Sequence, residues 1–375
     1  MGVVVPAYNE EGLVGDVIAT IPEFVDRVYV VDDASDDGTW EEIRAHAMAV
    51  NEHADQDDSD YGTFSPRVVI FRHETNRGVG AAVKTGYRRA LEDGIDVTAV
   101  MDGDGQMDPD ELPRMLGPVV EGDADYAKGT RLHRRRDRAE MSRWRLFGNW
   151  LLTMLTRTSS GYWQMTDPQN GYRVISREAL ATVPFESAYD DHGFTNDTLA
   201  LLNVYDFRIA DVSHGAIYGD EESDIDYTSF VPGLSWLLLR RYLWRLKTSY
   251  LVRGFHPLVV CYPIGLLSIL LGSASTVYAL VSYGGSAFLG GLVSTTVALF
   301  GVLLFVLALW FDVENNEDLV VNVDVGDERE PVQRVDEVVA RNAEVELASD
   351  GGHGSDEQTA GPQHDQPGEK TEGYQ

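Results

Sequence analysis

From residue 3 to about residue 120, short runs rich in β-branched residues alternate with stretches whose apolar positions recur every three or four residues. Residues 3–6, 28–31, 68–71 and 97–101 read as strands, and 11–21, 40–50 and 80–93 as the helices between them. Alternation of this kind predicts an α/β fold: a mostly parallel sheet with helices on its faces and ligands bound at the carboxyl ends of the strands. Polar residues able to do chemistry fall at those ends. Asn9-Glu10 follow the first strand, Asp32-Asp33 the second, and residues 102–106 the fourth. The acidic stretch 51–62, between a helix and a strand, reads as a surface insertion.

The pattern then changes. Residues 131–157 are arginine-rich, with Trp144, Leu146, Phe147, Trp150, Leu151 and Leu152 interleaved. Over 234–253, a helical wheel puts Arg241, Arg245, Thr248 and Ser249 on one side and Leu239, Leu243, Leu246 and Tyr250 on the other, predicting a helix that lies on a membrane surface. Residues 257–281 and 287–311 carry no charge, and each exceeds the roughly 20 residues needed to cross a hydrocarbon core. Only a tight hairpin fits between them. Arg240, Arg241, Arg245, Lys247 and Arg253 precede the first span, so the positive-inside tendency puts the N-terminal domain in the cytoplasm, and two spans return the C-terminus to the same side. Residues 312–375 hold 18 Asp/Glu against Arg329, Arg334, Arg341 and Lys370, a composition that predicts a mostly disordered tail without catalytic role. The expected organisation is therefore a catalytic domain over 1–225, an amphipathic interfacial region over 226–254, two transmembrane helices within 255–311, and an acidic cytoplasmic tail over 312–375.

Charge sharpens this picture. The formal net charge is −31, and the only lysines are Lys84, Lys128, Lys247 and Lys370. Nucleic acid is excluded as a partner, and an acidic, lysine-poor surface is expected of a halophile, where salt screens like charges. In so acidic a chain, the local arginine cluster calls for an anionic partner. Cys261 stands alone, so no intrachain disulfide forms. The chain opens directly into a strand with no charged leader, which again predicts a cytoplasmic first domain.

The run Asp102-Gly103-Asp104-Gly105-Gln106 carries the clearest chemistry. In an extended segment, residues i, i+2 and i+4 point the same way, so Asp102, Asp104 and Gln106 are expected to converge on one divalent cation, Mg²⁺ or Mn²⁺. The competing reading is an Asp/Gly turn that merely closes a strand.

Pro6-Ala7-Tyr8-Asn9-Glu10, Val31-Asp32-Asp33-Ala34-Ser35 with Asp37-Gly38-Thr39, and Asp102-Gly103-Asp104 together resemble glycosyltransferase family 2, with its GT-A fold. Asn76-Arg77-Gly78-Val79-Gly80 is similar to the family's N-x-G-x-G segment and is expected to bring a helix start close to the nucleotide. Lys128-Gly129-Thr130-Arg131 and Asp167-Pro168-Gln169-Asn170-Gly171-Tyr172-Arg173 resemble segments of the dolichyl- and polyprenyl-phosphate mannose and glucose synthases. The resemblance covers about residues 2–225. It implies that Pro6, Tyr8, Glu10, Val31, Asp33, Asp102, Gly103 and Asp104 bind a nucleotide sugar. It further implies that Asp102, Asp104 and Gln106 hold Mg²⁺ or Mn²⁺ against the pyrophosphate, that Asp104 and Arg131 are catalytic, and that Arg131, Arg143 and Arg145 meet an acceptor phosphate. One segment departs from the pattern. Residues 216–223 lack the two cations that flank the corresponding stretch of eukaryotic relatives, leaving Arg173 or an arginine of 234–253 to serve in their place. His192, His214 and Asp197 read as surface or core positions.

The expected activity is inverting, metal-dependent transfer of a hexose from a GDP- or UDP-sugar to dolichyl or polyprenyl phosphate at a cell membrane. A lipid-linked oligosaccharide, a glycerolipid or a polysaccharide is the alternative acceptor, and a catalytically silent membrane scaffold the alternative class. A dinucleotide-dependent dehydrogenase is disfavoured because no G-x-G-x-x-G follows the first strand.

Overall fold

The structure, a computed structural model, describes residues 1–56, 64–130, 143–214, 227–283 and 288–323. Its first half alternates β1 (Gly2–Ala7), α1 (Val14–Thr20), β2 (Arg27–Asp32), α2 (Thr39–Gln56), β3 (Val68–Arg72), α3 (Val79–Glu92), β4 (Val97–Val100) and α4 (Leu112–Val120). Then come β5 (Tyr126–Thr130), α5 (Arg143–Ser160), β6 (Arg173–Ser176), α6 (Arg177–Thr182), α7 (Phe194–Val204) and β7 (Ile209–Ser213). The chain continues through α8 (Tyr227–Lys247), α9 (Leu258–Tyr283) and α10 (Phe288–Asn315) to β8 (Val320–Asn322).

The strands form one sheet in the order β3-β2-β1-β4-β6-β5-β7-β8. All neighbours run parallel except β6, which is antiparallel to both β4 and β5. The sheet is therefore the expected mostly parallel one, and β6 makes it mixed. Its central strands are apolar on both faces because helices cover both. Val3, Val5, Val28 and Val30 pack under α1, α2 and α4, while Val4 and Tyr29 pack under α3, α6 and α7. Asn51, in the stretch expected to be an insertion, pairs both ways with the Val68 backbone at 2.8 and 2.9 Å. That pairing ties α2, which runs on to Gln56, to β3.

Helices α9 and α10 are long and apolar enough to cross a membrane, and only 11% and 17% of their most apolar windows are buried. They are not core helices of the domain. They meet each other through small residues: a Cβ at Gly265 would come within 2.9 Å of the Gly301 carbonyl, and one at Gly301 within 2.6 Å of the Gly265 carbonyl.

Helix α8 differs from expectation. Arg241 and Arg245 turn into the protein, and Leu246 and Tyr250 are buried as well, leaving Trp236, Leu239 and Leu243 exposed. Two features account for this. The hairpin folds back over Leu246, which packs with Leu258, Tyr262 and Ala308, and the chain widens into a π-turn over Thr248–Arg253, which shifts the helical phase at Tyr250. The stretch expected to begin the tail is also ordered at its start. α10 continues through Asp312 to Asn315, and β8 then pairs with β7, Ile209 opposite Val320. Residues 324–375 lie outside the described residues.

Candidate active site

The loops after β1 and β2 are stitched together. The Asp33 amide donates to the Ala7 carbonyl (2.9 Å), the Asn9 amide to Ser35 Oγ (3.0 Å), the Asp36 amide to Asn9 Oδ1 (3.0 Å), and the Glu10 amide to Thr39 Oγ1 (2.7 Å). Asn9 accepts a left-handed φ of 56° to make this join. Tyr8 is left standing at the surface, 44% exposed, with Glu10 half-buried two residues on. Pro6 and Val31 are buried in the strands and contribute backbone and packing rather than side-chain contact.

The two aspartates after β2 face inward. Asp32 takes Arg72 Nε at 3.0 Å and the Ser35 amide at 3.1 Å. Asp33 accepts the Arg77 amide (3.0 Å), the Gly78 amide (2.6 Å) and a bond from His73 Nδ1 (2.6 Å). Its oxygens are thus filled by protein groups, and its observed role is to hold the 76–78 loop. The glycines of that loop meet protein backbone. A Cβ at Gly78 would come within 2.6 Å of the Asp190 carbonyl, and one at Gly80 within 2.6 Å of the Tyr189 carbonyl. These glycines admit the 189–191 backbone, which Lys84 holds from below through Ala188 O and Asp190 Oδ1, each at 2.6 Å.

Asp102 and Asp104 are half-buried beyond the end of β4, directly beside the β1 loop. The Gly103 amide donates to the Pro6 carbonyl at 3.0 Å, and a Cβ at Gly103 would sit 3.1 Å from the same oxygen. A larger residue there would crowd the two loops apart by a few tenths of an ångström. The strand stops at Val100, however, and Gly105 adopts a φ of +70°. The Gln106 amide folds back onto Asp104 Oδ1 at 2.9 Å. The segment is a turn, so the extended-strand argument for Gln106 as a third ligand does not hold. Among the described residues, no group of three or more His, Cys, Asp or Glu side chains is placed to hold a metal. Two hard carboxylates at the rim nevertheless suit Mg²⁺ or Mn²⁺, which take their remaining ligands from phosphate and water.

The 167–173 segment closes the other side. A Cβ at Gly171 would collide with the Asp102 carboxylate, so this glycine gives that side chain its place. Asn170, also buried, bonds His214 Nε2 at 3.0 Å and accepts the Tyr172 amide at 3.0 Å, and the Tyr172 ring meets His214 edge-on at 5.5 Å. Lys128, fully buried in β5, pairs with Asp211 at 2.7 Å and donates to the Thr166 and Asp167 carbonyls. None of this support was readable from the chain order, although a lone lysine inside an apolar strand is itself a signal of a buried ion pair.

Several expected phosphate contacts fall elsewhere. Arg173 is buried against Phe194 and donates to Thr195 Oγ1 at 2.8 Å. Burial works against its charge, but the nearby Tyr87 and Tyr126 hydroxyls and the Asp102 carboxylate outweigh that and hold its pKa above the ordinary arginine value. It balances Asp102 from inside the domain instead of meeting a ligand at the rim. Arg241 pairs with Asp197, and Arg245 with Asp312. Arg131 and the 216–223 segment lie outside the described residues, and Arg143 and Arg145 are positions in the first turn of α5. His192 is exposed, whereas His214 and Asp197 are buried.

A family model described as Glycosyl transferase family 2 matches residues 2–183. The UDP-N-acetylglucosamine–dolichyl-phosphate N-acetylglucosaminyltransferase of Methanococcus voltae is 27% identical over 216 residues, 57% of this chain and 84% of that protein. An undecaprenyl-phosphate mannosyltransferase from Micrococcus luteus is 32% identical over 193 residues, 49% of this chain and 69% of that protein. Among solved structures, glucosyl-3-phosphoglycerate synthase from Mycobacterium tuberculosis, in complex with Mn²⁺, UDP and glucosyl-3-phosphoglycerate, aligns with a TM-score of 0.44 and 22% identity, over 65% of this chain and 78% of that one. The family match runs from β1 to the end of α6, through every loop that builds the rim, and the Micrococcus relative is matched over more than two thirds of its length, so the chain is a glycosyltransferase and belongs to glycosyltransferase family 2.

Proposed function

We propose that this enzyme transfers a hexose from a nucleotide sugar, GDP- or UDP-linked, to dolichyl or polyprenyl phosphate at the cytoplasmic face of a membrane, with inversion and with Mg²⁺ or Mn²⁺. The observation that carries the reading is the pair Asp102 and Asp104, half-buried beside the exposed Tyr8 on a domain tied to two apolar helices. Relatives named for transfer to dolichyl and undecaprenyl phosphate support the acceptor.

The chemistry asks little of an acid or base. A phosphate oxygen of the acceptor, already anionic near neutral pH, attacks the anomeric carbon from the face opposite the leaving group. One C–O bond forms as the bond to the nucleoside diphosphate breaks, and no proton need be transferred. The cation, when bound, neutralises charge on the departing diphosphate. Asp102 and Asp104 supply its protein ligands, Tyr8 stacks on the base, and Gly171 and Arg173 keep the Asp102 carboxylate in place. Arg131, Arg143 and Arg145 remain the proposed partners of the acceptor phosphate, with the arginine fork suited to it. Arg240 and Lys247, exposed on α8 ahead of the first apolar helix, favour a cytoplasmic catalytic domain. The acidic surface suits concentrated salt, and a folding titration in which stability rises steeply with salt checks that part.

The deciding experiment supplies proteoliposomes with polyprenyl phosphate and a panel of GDP- and UDP-sugars, with and without chelator. Sugar-charged lipid phosphate that vanishes with EDTA and returns with Mn²⁺ is the expected result. Product on a glycerolipid or a lipid-linked oligosaccharide alone would replace the acceptor, and turnover undiminished by chelation would remove the cation from the proposal.

A further inference from the structure

A buried polar cluster lies away from the rim, where α5, α7, α8 and α10 meet. Arg245 is fully buried, and its guanidinium grips Asp312 of the second apolar helix in a fork, Nη1 to Oδ1 at 2.9 Å and Nη2 to Oδ2 at 2.7 Å. Its other donors reach the Ser159 carbonyl (Nε, 3.0 Å) and the Thr158 carbonyl (Nη2, 3.1 Å) in the last turn of α5. Those carbonyls have no partner within their own helix, and a cation is favoured at the negative end of its dipole. The chain makes room by turning sharply at Gly161, φ +83°, where a Cβ would come within 2.7 Å of Nη1. Tyr250 donates to Asp312 Oδ1 (2.7 Å), Asn316 to the Tyr250 hydroxyl (2.8 Å), and Asn203 of α7 to Asn316 Oδ1 (2.7 Å). One turn earlier on α8, Arg241 holds Asp197 and the Ser187 carbonyl.

A buried ion pair of this kind is a poor source of net stability, since apolar side chains of similar volume often do as well. What a forked, fully hydrogen-bonded pair does supply is direction. Here it joins a helix of the catalytic domain to a helix built to cross the bilayer.

We propose that Arg245 and Asp312 are positioning residues: they lock the carboxyl end of α5 to the second apolar helix and so set the height at which the active site meets a membrane-borne acceptor. The effect on transfer rests on the proposed lipid-phosphate acceptor, whereas the mechanical coupling does not.

The test uses the full chain in proteoliposomes. Asp312→Asn keeps the shape but weakens the fork. It is expected to raise the KM for polyprenyl phosphate about tenfold or more, as a small misplacement does, while the Kd for nucleoside diphosphate with Mn²⁺ stays unchanged. Arg245→Lys, which keeps the charge, should fall between that variant and the wild type. Amide exchange over 156–161 should quicken in Asp312→Asn. Acceptor and nucleotide affinities that shift together, or neither shifting, would overturn the proposal. If Asp312→Asn does not fold, Tyr250→Phe removes one hydrogen bond and should give a smaller change of the same kind, and a nucleotide affinity lost in equal measure would again sink the idea. If the wild type does not use polyprenyl phosphate, the functional reading fails, and exchange decides alone: faster exchange at 156–161 with intact nucleotide binding upholds the clamp, and unchanged exchange overturns it.

Discussion

Two aspartate pairs stand at the carboxyl ends of β2 and β4, the strands on either side of β1, and the fold uses them in different ways. Asp32 and Asp33, after β2, are buried, their oxygens taken by Arg72, Ser35, His73 and the amides of Arg77 and Gly78. Asp102 and Asp104, after β4, stay half-exposed at the rim. The difference lies in what surrounds each pair. A loop of amides from the start of α3 closes over the first, whereas glycines at 103, 105 and 171 keep backbone close and side chains away around the second. Identical residues serve the fold where a loop closes over them, and stand at a rim where they remain partly exposed.

Substitutions that break this contrast should separate activity from stability. The largest effect is expected at the rim: Asp104→Ala should lower sugar transfer by about 10²–10³-fold, measured with saturating donor, while changing unfolding free energy by less than about 1 kcal/mol. Asp33→Ala should do the reverse. It strands two backbone amides and His73, so a loss of about 3 kcal/mol in denaturant-measured stability is expected, and an unchanged midpoint would contradict the buried network. Gly171→Ala sharpens the comparison by pushing on the Asp102 carboxylate without removing it; a fall in transfer of about tenfold, with the Kd for Mn²⁺ weakened and stability nearly kept, is the expected outcome.

The smallest effect concerns Asp37, between the two pairs. Its slight burial works to raise its pKa, but hydrogen bonds from the Thr39 hydroxyl and amide and from the Glu11 amide outweigh this and hold the carboxyl below its ordinary 3.8. Because the folded-state value is depressed, the stability it contributes is present above about pH 4 and is lost as pH falls through the lower folded value. Asp37→Asn should flatten that acid limb slightly in a pH series of melting curves.

The strands and helices of the first domain were legible in the chain because each β-branched run sits between turn residues and each helix keeps its apolar period. So were the rim carboxylates, since Asp102-Gly103-Asp104 follows a strand. The direction of Gln106 was not legible, because a period-two argument continues only as far as the strand does, and this one ends at Val100. Arg241 and Arg245 were misread for a related reason: a helical wheel shows that two side chains share a face but not what the face meets. Asp312, the partner that draws Arg245 inward, is 67 residues further along.

By itself, then, the sequence determined the α/β alternation, the two apolar helices and the family motifs, because these rest on local period, composition and strand-end placement. Only the tertiary structure decided which aspartates are buried, that β6 runs against its neighbours, that β8 returns to the sheet, and that Arg245 of α8 binds the domain to its second apolar helix. Each of these depends on pairing between residues far apart in the chain. There, burial and hydrogen-bond satisfaction choose among partners that local pattern leaves equivalent.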